Sequence, residues 1–280
     1  MFVKRTFVLI AIALVLFASG AANASEPLGK DVEQQLGASG KVDWTTGVIT
    51  AVGIGAPSAQ PGNASQNRSM TERNALVLAY QRLLEAVKGV QLDSQAVVEA
   101  SMAQNDSVRL SINGYIQGAT IMDKKFMPDG SVEITIGMKL TGALTDALLS
   151  KGTTTHEAIT PPSGGSARLY TGLIVDARGL GARPAMAPKI LNEEGNEVYG
   201  ATWINRDFAV REGLVVYYKD QAAAKASLRV SDKPLMVKAI KVSGQGKTDL
   251  VISNADAASL QGSSQNVSIL EKCRVIIMVD

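Results

Sequence analysis

One stretch of the chain, residues 151–166, has no apolar period and is rich in threonine, proline, glycine and serine. Such a segment cannot bury enough apolar surface to order itself, and its prolines and glycines interrupt helices and strands. We therefore expect an exposed linker. It divides the chain into a first domain at residues 25–150 and a second at 167–280, each long enough to build a hydrophobic core.

The first 24 residues have the order of a secretory signal peptide. Lys4 and Arg5 precede an apolar run at residues 7–18, and Ala22-Asn23-Ala24 follows. The apolar run is much shorter than the roughly 20 residues that cross a bilayer. We expect cleavage after Ala24 and a periplasmic or secreted protein without its own membrane anchor, peripheral to the outer membrane only through partners.

Removal of this segment leaves 26 basic residues against 26 acidic ones. The mature protein is then close to neutral, and no concentrated basic patch of the kind that neutralises phosphates stands out. The sequence therefore argues against a nucleic-acid partner. The single cysteine, Cys273, allows no disulfide within the chain. It alternates with Val275, Ile277 and Val279, which predicts a strand with the thiol on its apolar side, so we expect a buried, inert thiol.

The first domain shows a strand pattern followed by a helix pattern. Apolar residues recur at strand spacing from position 44 to 54: Trp44, Val48, Val52 and Ile54. The opposite face of this strand carries the glycines Gly47, Gly53 and Gly55, which have no side chain and allow another backbone to approach closely. A loose loop at residues 56–67 leads to a helix over Thr71–Lys88 with a stop at Gly89. This helix is the clearest in the chain.

Two alternating runs complete the first domain. Residues 108–117 and 132–140 alternate apolar with polar side chains around Pro128-Asp129-Gly130, which predicts an antiparallel hairpin. Residues 92–104 permit a short second helix. The helix at Thr71–Lys88 is expected to cover the buried face of the sheet.

The second domain begins with a continuous apolar run at residues 169–177, typical of a strand buried on both faces. Further strands are expected at 189–192 and 197–201 around Gly195-Asn196, then at 235–242, 250–253 and 272–279. Short helices are expected at 219–227 and 254–260, whereas 209–218 is open between strand and helix. The predicted fold class is α+β: two small mixed α/β modules, the first an antiparallel sheet covered by one main helix.

Several motifs of the first domain resemble the LPP20 and FlgT N-terminal-like family of bacterial envelope proteins. They are the glycine-bearing strand, the helix at 71–87, the sequence Lys88-Gly89-Val90, and the two runs Gly114-Tyr115-Ile116-Gln117-Gly118-Ala119 and Asp129-Gly130-Ser131-Val132-Glu133-Ile134-Thr135-Ile136. Their order covers about residues 42–140. The resemblance implies a small sheet with helix cover and a role in the envelope, including flagellar ring assembly or surface lipoproteins, and it implies no catalysis.

The second domain is similar to an uncharacterised module that accompanies the first in bacterial proteins. This similarity rests on residues 170–184 and on Glu197-Val198-Tyr199-Gly200. Lipoprotein relatives need a cysteine at the cleavage site, and Ser25 stands there in this chain. The departure argues against direct lipid attachment.

The candidate motifs for catalysis and cofactor binding lack residues that these motifs require at fixed positions. Gly246-Lys247-Thr248 lacks the glycine of a P-loop, since Lys241 holds that position, and the Gly179-Leu180-Gly181 loop reaches Pro184 where a dinucleotide motif needs glycine. Backbone amides of this loop could still hold an anion beside Arg178 and Arg183. One histidine, His156, and one cysteine make neither a zinc site nor a catalytic pair.

The sequence thus indicates no catalytic residue, metal ligand or cofactor, and we expect a non-enzymatic envelope protein that acts in cell-envelope or flagellar-type assembly through protein contacts. Its partners would be envelope proteins, with self-association as a further option. The alternative is a periplasmic small-ligand or glycan-binding protein that uses the 178–184 loop, and a hydrolase using Asp176, Asp207 and Asp256 ranks third. The candidate partner or ligand surface consists of arginines and clustered aromatic residues: Arg178, Arg183, Tyr199, Trp203, Phe208, Tyr217 and Tyr218.

Overall fold

The computed structural model describes residues 31–57, 63–149 and 168–280. The predicted signal peptide and the predicted linker lie outside these residues. We call residues 31–149 the first module and residues 168–280 the second module. None of the helices in the described ranges is both long enough and apolar enough to cross a membrane.

The first module contains five strands and four helices among its described residues. In chain order they are β1 Glu33–Leu36, β2 Gly40–Asp43, β3 Val48–Gly55, α1 Ala64–Lys88, α2 Val98–Gln104, α3 Asp106–Gln117, β4 Thr120–Phe126, β5 Val132–Lys139 and α4 Ala143–Leu148. The strands form one antiparallel sheet in the order β1-β2-β3-β5-β4. Helix α1 packs on one face of it, which confirms the predicted sheet with one main covering helix.

The close approach of α1 to the sheet depends on two glycines of β3. A Cβ atom at Gly53 would overlap the backbone of Ala75 and Ala79, and one at Gly55 would overlap the backbone of Thr71. Since side chains alternate along a strand, Ile49 shares this buried face. The predicted strand is confirmed from Val48 onward, and Gly53 and Gly55 form the face that meets the helix. Trp44 and Gly47, which the sequence also assigns to it, lie in the preceding turn.

The predicted hairpin has the right turn and second strand but the wrong first strand. Residues 106–117 form helix α3, capped by the Asn105 side chain, which accepts hydrogen bonds from the N–H groups of Ser107 and Val108. The partner of β5 is β4 instead. The alternating pattern also contains the helical spacing of Ile112 and Ile116, which are buried.

Helix α1 also begins earlier than the sequence predicts. It starts at Ala64, where Asn63 caps it by accepting a hydrogen bond from the Ser65 N–H. The helix end at Lys88 and the short second helix, α2, agree with the sequence pattern.

The second module contains eight strands and four helices among its described residues. They are β6 Leu173–Asp176, β7 Ile190–Leu191, β8 Glu197–Tyr199, α5 Arg206–Glu212, β9 Val216–Tyr218, α6 Gln221–Ala226, β10 Leu235–Lys238, β11 Lys241–Ser243, β12 Asp249–Val251, α7 Asn254–Gln261, α8 Ser264–Glu271 and β13 Val275–Met278. The ambiguous stretch at 209–218 holds the end of α5 and then β9. The single strand predicted at 235–242 is two strands in different sheets, and α8 was not predicted.

Two four-stranded sheets organise this module. The order β10-β6-β13-β9 is parallel throughout, and β11-β12-β7-β8 is mixed. The parallel sheet is buried on both faces, as the continuous apolar run of β6 predicts: Leu173 and Ile277 lie in the main core, whereas Ile174 and Ile276 lie in a second cluster with Ala224 of α6.

The two modules share the main hydrophobic core. Its buried side chains continue from α1 and the antiparallel sheet into the second module. Backbone hydrogen bonds cross the boundary as well: Met186 N–H donates to the Gln91 carbonyl at 3.0 Å, and Ala187 N–H donates to the Leu92 carbonyl at 2.7 Å. The described parts of the two predicted domains are therefore joined by packing and by main-chain bonds.

Cys273 is buried, as predicted. Its predicted place within the strand is wrong, because its backbone is left-handed, with φ of 55°, and β13 begins at Val275. Burial raises the pKa of its thiol to about 11. A thiol that stays protonated at neutral pH is a poor nucleophile.

Candidate functional site

The face of the antiparallel sheet that points away from α1 is covered by no helix of the first module among its described residues. We call it the outer face and define it by residues that the register places on the same side of three strands: Thr50, Val52 and Ile54 of β3, Met122, Asp123 and Lys125 of β4, and Glu133, Thr135 and Gly137 of β5. The register places Ile54 beside Glu133 and Val52 beside Thr135. Ile54 is 50% exposed and Met122 is 57% exposed. The outer face thus presents apolar and polar side chains together.

Met122 lies on this face because of a bulge in β4. The pairing of β4 with β5 shifts register between Ile121 and Asp123, which leaves Met122 as the extra residue. Its sulfur lies over Gly137, next to the Thr50 methyl group, where a Cβ atom at position 137 would overlap it. The bulge directs Met122 to the outer face, and the missing side chain of Gly137 leaves the space that its sulfur occupies.

Strand β4 is the sheet's edge, and every one of its residues is exposed. Lys125 forms ion pairs with Asp123 and Glu133, both at 3.2 Å, and Lys124 pairs with Glu72 of α1 at 2.9 Å. Charged side chains and a bulge are the features that keep an edge strand from pairing with another chain. Pairing of another strand with the β4 edge is therefore disfavoured.

The two arginines predicted for a binding surface are placed differently. The Arg178 guanidinium donates two hydrogen bonds to the Asp176 carboxylate, at 2.9 and 2.7 Å, and these bonds hold the pKa of Asp176 below its usual value. Arg183 is exposed, and its backbone N–H donates to the Lys247 carbonyl at 2.9 Å. The Gly179 N–H donates to both carboxylate oxygens of Asp280, at 2.9 and 3.0 Å. One backbone N–H of this loop therefore binds a carboxylate of the chain itself.

Tyr199 and Tyr217 lie in the interior. The Tyr199 hydroxyl donates to the Leu214 carbonyl at 2.6 Å. The Tyr217 hydroxyl donates to the Ala185 carbonyl and accepts from the Ala185 N–H, both at 2.9 Å. Burial raises the pKa of both hydroxyls. These two rings fill the core and leave no surface for a partner.

The remaining three aromatic residues are half-buried and lie apart in the fold. Trp203 lies in a turn, Phe208 packs against the main core from α5 with the Arg211 guanidinium 4.9 Å from its ring centre, and Tyr218 packs against the second cluster. Since these rings lie on different elements and two others are buried, the seven predicted residues do not form one continuous surface.

The three aspartates considered for hydrolysis occupy separate structural positions. Asp176 ends β6, Asp207 lies in the first turn of α5, and Asp256 lies in the first turn of α7, where it exchanges hydrogen bonds with Ser253. Within residues 31–57, 63–149 and 168–280, no group of three or more His, Cys, Asp or Glu residues could hold a metal ion.

Sequence reasoning missed the outer face for two reasons. The apolar residues Val52 and Ile54 resemble a core stripe, whereas the buried face of β3 is made by smaller residues such as Ala51 and Gly53. The charges at 123–125 hide β4 from a search for apolar alternation. One signal in the sequence was available: Gly53 and Gly55 are two residues apart, as on one face of a strand, and an alanine-rich helix follows them. They indicate the face of β3 that meets the helix.

Comparison with known proteins gives one family match. Residues 172–280 match the family described as Treponema pallidum Tp0624, second domain. The match covers 109 of the 280 residues and does not include residues 42–140. A comparison with curated proteins finds no match. The second module is thus similar to the second domain of Tp0624, and the resemblance of the first module to LPP20 and FlgT proteins stays a prediction.

Proposed function

We propose that this protein is an exported, non-enzymatic envelope protein that acts in cell-envelope or flagellar-type assembly, and that it does so through protein contacts on the outer face. The observation that carries the proposal is that the two faces of the antiparallel sheet differ: a helix covers one face, and the other face is left uncovered by it. Helix α1 closes one face, while Ile54 and Met122 stay exposed on the other. The two apolar side chains are separate points on this face, because Ile54 lies beside Glu133 and Met122 lies over Gly137, four residues further along β5. Exposed apolar side chains on a sheet face can contribute to a protein interface.

The composition of the outer face supports a reversible contact between separately folded proteins. Such interfaces are about as apolar as the rest of the surface and carry polar groups beside the apolar ones. Here Ile54 lies beside Glu133, and Val52 lies beside Thr135. Envelope proteins are the proposed partners, and a second copy of the chain is the alternative.

Site-specific photocrosslinking tests this proposal. A photoreactive amino acid at position 54 or 122 is expected to give one defined crosslinked product in the native envelope, identified by mass spectrometry. The matched control is position 228, because Leu228 is 95% exposed and lies in the second module. Equal products from all three positions, or a product from position 228 alone, would contradict the proposal.

The identity of the crosslinked product separates the two kinds of partner. A product at twice the chain mass with only peptides of this chain indicates self-association, and a second protein in the product indicates another envelope component. Both outcomes support contact through the outer face, and turnover of a substrate by the purified protein would contradict the non-enzymatic part of the proposal.

A further inference from the structure

Met122 is the most exposed methionine in residues 31–57, 63–149 and 168–280. It is 57% exposed on the outer face, and Met70 of α1 is 53% exposed. Met138 and Met278 are buried, and so is Cys273, the single cysteine of the chain. Exposure decides which sulfur-containing side chains an oxidant in solution reaches. Met122 and Met70 are therefore the first candidates for oxidation.

The surroundings of the Met122 sulfur suit an apolar group. The sulfur occupies the space that a side chain on Gly137 would fill. The Thr50 methyl carbon lies 3.1 Å and the Ile49 carbonyl oxygen 3.2 Å from the point where a Cβ atom of Gly137 would stand. Neither of these two groups can donate a hydrogen bond. The thioether fits beside them because it needs no donor.

Oxidation of the thioether reverses this fit. The sulfur lone pair attacks one oxygen of hydrogen peroxide: an S–O bond forms, the O–O bond breaks, and the second oxygen takes the proton of the first and leaves as water. The sulfur loses two electrons, which the peroxide gains. The methionine sulfoxide is polar, and its oxygen accepts hydrogen bonds. Over Gly137 this oxygen finds no donor in the Thr50 methyl group or the Ile49 carbonyl, so we expect the side chain to turn into solvent.

We propose that Met122 is a reversible oxidation site, at which a peroxide converts an apolar side chain of the outer face into a polar one. The reverse step uses a dithiol: the sulfoxide oxygen leaves as water, the sulfur is reduced to the thioether, and the dithiol becomes a disulfide. The buried thiol of Cys273 does not compete for the oxidant, because burial keeps it protonated at neutral pH.

The oxidation of Met122 also weakens the contact through the outer face, and this part of the inference rests on the proposed function. A polar group replaces apolar surface that the contact would bury. Met70 provides the matched comparison, because it is about equally exposed but belongs to α1, which packs on the opposite face of the sheet. Its oxidation leaves the outer face unchanged.

Peptide mass mapping of the purified protein after treatment with hydrogen peroxide tests the site without a partner. We expect sulfoxide to form at Met122 and Met70 at least about tenfold faster than at the buried Met138. Treatment with methionine sulfoxide reductases and a dithiol should remove it. Oxidation of Met122 no faster than that of Met138 would overturn the proposal.

Proton–carbon NMR of protein with labelled methionine methyl groups tests the movement of the side chain. The M122L variant assigns the Met122 signal. We expect magnetisation transfer between the Met122 side chain and the Thr50 methyl group before oxidation, its loss in the sulfoxide, and its return after reduction. Transfer that persists in the sulfoxide would show that the oxidised side chain stays over Gly137, and would overturn the proposal.

Photocrosslinking from position 54 tests the effect on the contact. Protein with the photoreactive residue is oxidised, freed of peroxide with catalase, and added to isolated envelopes. We expect the yield to fall about tenfold and to recover after reduction. The M70L variant should lose yield to the same extent, whereas M122L should change less than about twofold from its own untreated yield. An equal loss in M122L would overturn the role of Met122.

The experiments separate this inference from the proposed function. A protein that gives no crosslink from position 54 even before oxidation contradicts contact through the outer face. The mass mapping and the NMR measurement still decide whether Met122 is an oxidation site, because neither needs a partner. Normal crosslinking together with an unreactive Met122 would overturn the inference alone.

Discussion

The antiparallel sheet of the first module and the parallel sheet of the second module differ in how many faces they bury. In β3, Ile49 is fully buried while Ile54 is 50% exposed. In β13 every residue is buried, because the main core lies on one face and the cluster around α6 lies on the other. The faces of a sheet that is covered on both sides cannot meet a partner, whereas an open sheet face can. The difference places the proposed contact surface on the first module.

The edges of the two sheets differ as their faces do: the β9 edge of the parallel sheet is covered, whereas the β4 edge of the antiparallel sheet is exposed. The outer edge of β9 is covered by the first module: the Tyr217 N–H donates to the Trp44 carbonyl at 3.4 Å, and the Thr45 hydroxyl donates to the Tyr217 carbonyl at 2.9 Å. The edge strand β4 is exposed along its whole length. The first module therefore covers the β9 edge of the second module's parallel sheet. The exposed β4 edge of the first module is protected by charged side chains and by a bulge.

The largest expected effect is a loss of stability, measured for alanine variants of β13 in the parallel sheet and of β3 in the antiparallel sheet. I276A and I277A should each lower the free energy of unfolding by about 2–5 kcal/mol, because both side chains are buried on opposite faces of β13. In β3, I49A should cost a similar amount and I54A less than about 1 kcal/mol. Urea denaturation measures all four. A small loss for I276A beside a large one for I277A would show that the parallel sheet is closed on one face only.

The next effect concerns the contact between α1 and β3. G53A should lower the free energy of unfolding by about 3 kcal/mol, because the added Cβ atom meets the backbone of Ala75 and Ala79. The matched control is G114A in α3, where the space around the glycine is open. That change should be neutral or stabilising by up to about 1 kcal/mol. Equal denaturation midpoints for the two variants would rule out the tight contact.

A smaller effect is expected where the first module covers β9. Y217F removes the hydroxyl that bonds both the N–H and the carbonyl of Ala185 in the interior. The loss should be about 1–2 kcal/mol. Y218F is the control, since that hydroxyl lies 3.4 Å from the Ser227 Oγ in a half-buried position. If thermal or urea unfolding shows the two variants to be equally stable, the buried hydroxyl does not stabilise the second module.

The smallest effect is the contribution of Cys273 at high pH. Burial raises its pKa from an ordinary value of 9.0 to about 11. Since the unfolded thiol ionises first, its contribution to stability is complete below about pH 9 and is lost as the pH rises through about 11. The difference in unfolding free energy between the native chain and C273A should therefore shrink between pH 9 and 11. A difference that stays constant with pH would contradict a buried, protonated thiol.

The second module's central strands were readable from the sequence because β6 and β13 are continuous apolar runs that only a doubly buried sheet explains. The first module was harder. The stretch 108–116 fits both the strand and the helical period, and the capping of α3 by Asn105 together with burial of Ile112 and Ile116 decides for the helix. Local pattern cannot weigh such tertiary contacts.

The candidate surfaces were less predictable than the fold. The aromatic residues Tyr199 and Tyr217 have the composition of an interface, yet each finds a buried hydrogen-bond partner and enters the core. The outer face depends on the register that places Ile54 and Met122 on the same side of the sheet. The contact between the modules joins distant segments, as in the bond from the Met186 N–H to the Gln91 carbonyl, and no local pattern reports that two distant segments meet.

Co-sedimentation with envelopes isolated from the source organism tests the central claim most directly. The I54K/M122K variant places two charges on the outer face at exposed positions, whereas L228K places one on the exposed surface of the second module. The account predicts that the unmodified chain and L228K sediment with the envelopes, while I54K/M122K, folded by its denaturation profile, stays in the supernatant. Sedimentation of I54K/M122K to the same extent as the unmodified chain would contradict it.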